Sequence, residues 1–306
     1  MALTWNQVSG ITEKKFIPKL IDNIFDSNPF FERMKRKGLL KLDGGLSIMV
    51  PLAYATTSSA GWYEGSDTLN TADNEQVTSA EYNWKFAYAN ITIKRTDELK
   101  NSGDAQILSL VKEKTSLAEK TLADNLGTAM WNAGTDAKAL GGLRHLLSTS
   151  NTVGGISQTS NTWWAAQVDS STTTLTMSAL QTQYNAASIG NDSPSVGFTT
   201  RAVYNLYYNL LQPQQRFQDT DTAKGGFSSL MFNGIPIVVD SHAPSGDIAF
   251  INEDYMKLVA HKDEFFRFEP FVKPVNQNVK VAKIYFAGNL VSSNNRMHAY
   301  LSALTA

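Results

Sequence analysis

Residues 102–134 carry the longest helical pattern in the chain, and that pattern limits what the flanking segments can build. The stretch opens Ser102-Gly103-Asp104, which supplies candidate N-cap residues and an acid where the helix dipole favours one. Apolar residues recur at Ile107, Leu110, Val111, Leu117, Ala118, Leu122, Leu126, Met130 and Trp131, close to helical period with one stripe to bury. Lys112, Glu113, Lys114, Glu119, Lys120 and Asp124 fall mostly between them and make a solvated face. Gly134 is the candidate C′ residue. Such a helix is about 45 Å long at about 1.5 Å per residue, roughly three times the usual globular helix. Leu110, Leu117 and Leu122 are expected to pack on strands from the C-terminal part of the chain.

At 306 residues the chain can bury a sizeable core, as one large domain or two. With 42% hydrophobic and 18% charged residues it is globular rather than disordered. A formal net charge of -1 provides no global basic field of the kind that marks a nucleic-acid binder. There is no cysteine, which removes disulfides, thiolate catalysis and cysteine-based zinc sites together. The N-terminus lacks a basic start followed by an apolar core, and no apolar run reaches the ~18 residues of a transmembrane helix. A soluble, non-secreted protein is expected.

Taken in order, residues 1–44 read as an arm. Residues 13–25 have helical spacing (Phe16, Ile17, Leu20, Ile21, Ile24), with Pro18 in the first turn. Ser27-Asn28-Pro29 is a cap followed by an early helical proline and starts a short helix through Phe30, Phe31 and Met34. The basic cluster Arg33, Lys35, Arg36 and Lys37 follows, either as a solvated helix end or as a contact for a polyanion or an acidic neighbour. Residues 46–55 and 82–93 alternate like strands, the second through Tyr82, Trp84, Phe86, Tyr88, Ile91 and Ile93. The polar stretch 56–80 between them implies a projecting hairpin, because a loop of that length inside a compact domain is uncommon.

The charge of this hairpin is one-sided. Residues 42–84 contain no Lys or Arg, while Asp43, Glu64, Asp67, Asp73, Glu75 and Glu81 are acidic. Such a hairpin repels its own copies and suits a basic neighbour. Residues 1–44 hold eight Lys/Arg against five Asp/Glu and are the candidate partner in a second copy, through Arg33, Lys35, Arg36 and Lys37 facing Glu64, Asp67, Asp73 and Glu75.

Beyond the long helix lie Gly141-Gly142-Leu143, Gly154-Gly155-Ile156 and Trp163-Trp164. Residues 176–187 and 200–211 read as helices, the second stopped near Pro213, and residues 212–226 as a polar connection. Residues 195–198 read as a short strand. Residues 231–240 form a hairpin with Asn233-Gly234 at its turn, running into a buried strand. Short strands at 247–251 and 256–260 complete an α/β or α+β unit. Residues 265–271, 279–291 and 296–304 alternate as antiparallel strands, expected to form a sheet beside the long helix.

Enzyme signatures are missing. There is no phosphate-binding glycine loop, dinucleotide fingerprint, His-Glu-x-x-His or Gly-x-Ser-x-Gly elbow. His145, His242, His261 and His298 sit in different segments without ligand-like spacing. Asp219 and Asp221 alternate as in a calcium loop but lack its Gly and distal Glu, so a polar surface loop is the better reading. Asp240 and His242 follow a buried strand without a nucleophile, which favours a strand-end turn over catalysis. The Trp163-Trp164 pair reads as a buried anchor. No catalytic residue, metal ligand or cofactor is expected.

The order of these segments, with the Gly-Gly-Leu … Gly-Gly-Ile … Trp-Trp junction, resembles the major capsid proteins of tailed bacteriophages. The resemblance implies an α+β fold of the Hong Kong 97-like type. In it residues 1–44 correspond to an N-terminal arm, 45–98 to the extended E-loop hairpin with its P-domain base, and 99–138 to the P-domain spine helix. Residues 139–262 correspond to an axial A-domain and 263–306 to C-terminal strands returning to the P-domain. The implied function is self-assembly, through hexamers and pentamers, into an icosahedral shell around a double-stranded DNA genome. The implied location is the virion, after assembly in the host cytoplasm.

The implied partners are other copies of the chain, a portal, decoration proteins and DNA held by weak non-specific contact, with no membrane. The E-loop stretch has no lysine, so the lysine–asparagine isopeptide weld of some members is not expected. The arm starts at Met1 without a long helical scaffolding segment, which implies a separate scaffolding protein or none. An encapsulin-type nanocompartment subunit is the runner-up reading, and an α/β enzyme with a long lid is the alternative from another class.

Overall fold

The structure, a computed structural model, describes residues 28–100, 110–215, 230–275 and 277–305. The helix expected over 13–25, the first turns of the long helix and the loop holding Asp219 and Asp221 lie outside these residues. Asn28 and Pro29 open helix α1 (Pro29–Lys37) as their order predicts, with the Asn28 side chain accepting from Phe31 N at 3.3 Å. Then come β1 (Leu39–Leu42), β2 (Ile48–Ala53), β3 (Val77–Tyr82), β4 (Lys85–Lys94), the short α2 (Arg95–Lys100) and the long α3 (Leu110–Met130). A one-turn helix α4 (Leu143–Leu146) precedes β5 (Thr152–Val153), β6 (Ile156–Ser157) and β7 (Gln167–Asp169). Helix α5 (Met177–Ala186), β8 (Val196–Thr199) and α6 (Arg201–Gln215) lead to β9 (Met231–Phe232), β10 (Ile235–Val239) and β11 (Ile248–Ile251). Long strands β12 (Met256–Val272) and β13 (Val279–Ser292) and the short β14 (Ala299–Leu301) finish the chain.

Six strands form a mixed sheet in the order β7-β14-β11-β8-β10-β9. Its central strands β8 and β11 are buried at every residue, as strands covered on both faces must be. Leu180 of α5 and Val203 and Tyr207 of α6 join Phe232, Ile237, Phe250 and Leu301 of the sheet in one buried cluster. Each such side chain stabilises the fold by roughly 1.5–3 kcal/mol. Asn233 and Gly234, with φ of 49° and 79°, make the tight turn between β9 and β10. A second sheet has the order β1-β12-β13-β4, with β1 parallel to β12 from Leu39↔Leu258 to Leu42↔His261. Among the described residues, strands β2 and β3 pair with each other as a two-stranded sheet.

By contact density the chain divides into two compact units. The described part of the smaller comprises 88–100, 110–122, 268–275 and 277–284. Its buried side chains are Ala89, Ile91 and Ile93 of β4, Ala118 and Leu122 of α3, and Ala282 and Ile284 of β13. Glu98 is held there between Lys280 (2.8 Å) and Arg95 (2.9 Å), and the hydrogen bond from Lys280 leads in lowering its pKa. Lys114 Nζ donates to Thr92 O at 2.9 Å. The larger unit holds 28–87, 123–267 and 285–305 in its described part, including the whole six-stranded sheet and the β2–β3 hairpin.

Five sequence expectations change. The long helix ends at Met130, not at Gly134, so its described length is about 31 Å. Two contacts set that end: Asn132 Oδ1 accepts from Gly134 N and Thr135 Oγ1, and its backbone is approached by Gly142, where a Cβ would lie 2.3 Å from Asn132 N. Leu122 is buried and Leu117 half-buried, while the Leu110 side chain is outside the described residues. The returning strand of the hairpin is Val77–Tyr82, not 82–93. The chain breaks at Asn83 and Trp84, whose carbonyl and indole N–H are claimed by Asn289 Nδ2 and Gly45 O, and β4 pairs elsewhere.

Helix α6 continues through Pro213 to Gln215, since a proline removes one i→i−4 bond without ending every helix. Residues 256–272 are one continuous strand, with φ of 53° at Phe266 marking a local kink where a break was expected. The C-terminal return expected for 263–306 fails at its last strand. Ala299 and Leu301 are fully buried, and β14 pairs with β11 and β7 in the six-stranded sheet.

Candidate assembly surfaces

The β2–β3 hairpin begins in strict register, from Ile48↔Tyr82 to Ala53↔Val77. Beyond Ala53, side-chain amides take over from the ladder. Ser58 N donates to Asn74 Oδ1 (3.0 Å), Asn74 Nδ2 to Thr56 O (3.1 Å) and Gln76 Nε2 to Thr57 Oγ1 (2.8 Å). At the tip Glu64 N donates to Asp67 Oδ2 (2.9 Å) and Asp67 N returns to Glu64 O (3.2 Å), around Gly65 at φ 56°. The polar composition that looked like a loop is therefore a defined shape. It presents Trp62, Tyr63 and Leu69 to solvent, with Trp62 at 105% exposure. Glu64, Asp67, Asp73 and Glu75 are exposed as well.

The base of the hairpin is fixed to the body of its unit. Tyr82 Oη donates to Ser292 O (2.9 Å), and burial pushes its pKa up so that the phenol stays neutral. Glu81 N donates to Gly154 O (2.9 Å), and Gly154, at φ 60°, sits so close that a Cβ would lie 2.6 Å from that of Ala80. Tyr54 stacks on Trp163 with centroids 5.2 Å apart, while Trp164 is buried and donates to Val153 O (3.0 Å). Buried Asn289 accepts from Gly141 N (3.0 Å) and donates to Asn83 O (2.9 Å). Each glycine pair read from the sequence thus holds one point of the hairpin base.

The basic cluster is split by the fold. Arg33 meets Glu253 through both carboxylate oxygens, at 2.5 and 3.0 Å, and Lys37 reaches the same group at 3.3 Å. Burial disfavours a charged Glu253, but hydrogen bonds from Arg33 and Ser195 and the nearby cations outweigh it and hold the carboxyl below its usual range. Lys35 makes only a 3.9 Å pair with Glu32, and Arg36 is exposed. These four cations and the four hairpin carboxylates form no ion pair with one another among the described residues. Glu253 and Ser195 were not predicted, because nothing in their local sequence announces a buried charge.

Asp240 is fully buried and structural: its Oδ2 accepts from Phe30 N (3.1 Å) and its Oδ1 from His242 N (2.9 Å). His242 Nε2 lies 2.8 Å from Asp124 Oδ1 of α3. Burial, with a contribution from Lys85, lowers the pKa of His145, and burial alone lowers that of His298 to about 3. His261 faces the Trp84 ring at 5.8 Å. Among the described residues no three His, Asp or Glu side chains are grouped to hold a metal, and no helix is long and apolar enough to cross a membrane.

An ordered hairpin, a long helix and a six-stranded sheet, with no convergent polar site among the described residues, fit a structural coat protein of the Hong Kong 97-like fold. The sequence profile of the SU10 major capsid protein family matches residues 65–305, and the chain belongs to that family. The fold is similar to a subunit of the cyanophage A-1(L) capsid (TM-score 0.77, 15% identity, covering 99% of this chain and 100% of that one). It is also similar to the capsid of the native GTA particle (0.70, 10% identity, 100% of both chains). The SrpI encapsulin of Synechococcus elongatus PCC 7942 shares it at 0.64 and 9% identity, covering 99% and 96%. No curated protein matches the sequence.

Proposed function

We propose that this coat protein assembles, as hexamers and pentamers of itself, into the icosahedral shell that encloses the double-stranded DNA genome of a tailed phage. The observation that carries the reading is the hairpin: an ordered, acidic projection whose tip exposes Trp62, Tyr63 and Leu69 among the described residues. A segment with that much fixed and exposed surface is built to lie on a neighbour. In this reading residues 1–44 serve as the arm, 45–98 as the E-loop with its base, 99–138 as the spine, 139–262 as the axial domain, joined by the strand 299–301, and 263–292 as the returning strands. Glu64, Asp67, Asp73 and Glu75 of the hairpin and Arg33, Lys35, Arg36 and Lys37 of the arm lie at contacts between neighbouring subunits. Lys35 and Arg36 are the accessible members, since Glu253 already holds the other two.

The protein performs no catalysis in this role, and contact with packaged DNA is weak, as a nearly neutral chain requires. Assembly takes place in the host cytoplasm, with a portal, decoration proteins and either a separate scaffolding protein or none. Expression of the chain alone and with its phage's other structural genes, followed by negative-stain imaging, tests the proposal. Closed shells are expected, and a monodisperse monomer at high concentration overturns it. A nanocompartment enclosing cargo enzymes shares the fold; shells that copurify with a cargo protein and no DNA would select it.

A further inference from the structure

Two exposed features of the larger unit lack an explanation within one chain. One is Trp62, wholly exposed on a tip whose shape is already fixed by hydrogen bonds. The other is a half-open, mainly apolar hollow of about 190 Å³ where α3 meets the start of β4, lined by Leu126, Ala129, Leu140, Phe286 and Phe86. Phe86 is itself 75% exposed at its edge. We propose that in the shell the Trp62 side chain of one copy inserts into this hollow of a second copy. The proposal rests on the shell reading above and names where the hairpin tip lands.

The chemistry of the two surfaces agrees. Tryptophan is the side chain that most often anchors an interface when it fills a desolvated pocket ringed by polar groups. The hollow is rimmed by Lys85 and Lys138 with one acid, Asp136. Asp136 Oδ1 is already engaged by Lys138 N at 2.9 Å, and Lys85 Nζ donates to Ala137 O at 2.5 Å, which holds that ammonium at the rim. The carboxylates flanking Trp62 are Glu64 and Asp67, so the knob carries negative charge to a rim with a net positive one. The tip is ordered before docking, so little conformational entropy remains to be lost on binding. Insertion would cover Trp62 and Phe86 together. It also directs Glu64 and Asp67 to Lys85 and Lys138, leaving Asp73 and Glu75 on the returning limb for Lys35 and Arg36.

The absence of cysteine makes the test direct. Assembled particles carrying both Tyr63→Cys and Lys138→Cys are treated with a short bismaleimide and run on a denaturing gel. A ladder extending well beyond dimers is expected, whereas each single variant stops at dimers. A control pair, Tyr63→Cys with Tyr208→Cys, gives no ladder. Particles that form normally but show no ladder overturn the insertion and leave the shell reading standing. If the cysteine variants do not assemble, zero-length carbodiimide coupling of wild-type particles decides. Glu64 or Asp67 joined to Lys85 or Lys138 of another copy supports the proposal, and the lack of those links overturns it. A wild-type chain that never forms particles removes the shell reading and this contact with it.

Discussion

Gly127, in the last turn of α3, lies so close to Asn28 that a Cβ there would sit 1.9 Å from the Asn28 amide nitrogen. That amide has two tasks: its oxygen caps α1 and its nitrogen donates to Ala123 O at 3.0 Å. The glycine in the helix and the cap before the other helix are therefore one device. It docks α1 against the C-terminal half of α3.

Gly127→Ala is expected to destabilise the protein even though alanine is the better helix former by about 1 kcal/mol. Displacing Asn28 forfeits a cap worth about 1 kcal/mol and a partly buried bond worth about as much again. The net loss expected is about 1 kcal/mol. In an Asn28→Ala background the same change should turn neutral or stabilising, and thermal denaturation of the four members of this cycle checks the sign reversal.

Gly154→Ala should loosen the base of the hairpin. The position has φ of 60°, and the added carbon would meet Ala80, itself fully buried, at 2.6 Å. A loss of roughly 1–3 kcal/mol is expected from backbone strain and displaced packing together. Limited proteolysis should show cleavage within residues 54–76 before any other site, while Gly155→Ala, at φ 78° but with nothing for its Cβ to meet, carries the strain without the clash and should loosen that segment less.

Glu253→Gln should weaken the docking of α1 on the larger unit. The carboxylate is held below its usual range by Arg33, Ser195 and Lys37, so its stabilisation is present above the unfolded value near 4.3 and is lost as pH falls through the folded one. Because Arg33 and Lys37 remain partly in water when the acid is gone, a loss of about 1–2 kcal/mol at neutral pH is expected, short of that for a fully buried pair. Urea denaturation at pH 7 and at successively lower pH should find the gap between variant and wild type constant above the unfolded value and shrinking only below it.

His298 sets a second acid limb. It is fully buried, its Nδ1 accepts from Asn252 N at 3.1 Å, and burial holds its pKa at about 3. The unfolded chain takes up that proton near pH 6.5, so stability is complete above 6.5 and falls between there and 3, by at most about 1.4 kcal/mol per pH unit. His298→Gln should flatten this slope whatever it does to stability at pH 7. Asp247 works with the opposite sign. Burial raises its pKa despite Tyr300 and Arg144, so its charged form is a cost that protonation relieves. Thermal unfolding from pH 7 to 5 in wild type and His298→Gln reads the difference in slope.

The sequence reading reached the elements whose signals are local. The Asn28-Pro29 start of α1, the Asn233-Gly234 turn and the helix from Met177 each depend on residues within a few positions of one another. Boundaries failed where a distant residue intervened. The helix stops at Met130 because Gly142 presses on Asn132, and β3 stops at Tyr82 because Asn289 takes the next carbonyl. Among the candidate residues, the pairing of Arg33 and Lys37 was not legible. Glu253 lies more than two hundred residues beyond the cations it binds, and no local pattern carries that information.

By itself the sequence determined the kind of chain this is: cysteine-free, nearly neutral, with one long amphipathic helix and one acidic polar stretch. These follow from composition and period, which survive any arrangement of the elements. Only the tertiary structure decided that the polar stretch is a rigid hairpin, that Arg33 and Lys37 belong to Glu253, and that β14 closes the six-stranded sheet. The physical reason is shared by all three. Each depends on polar or apolar groups meeting across long separations, where burial and geometry, not neighbouring residues, select the partner.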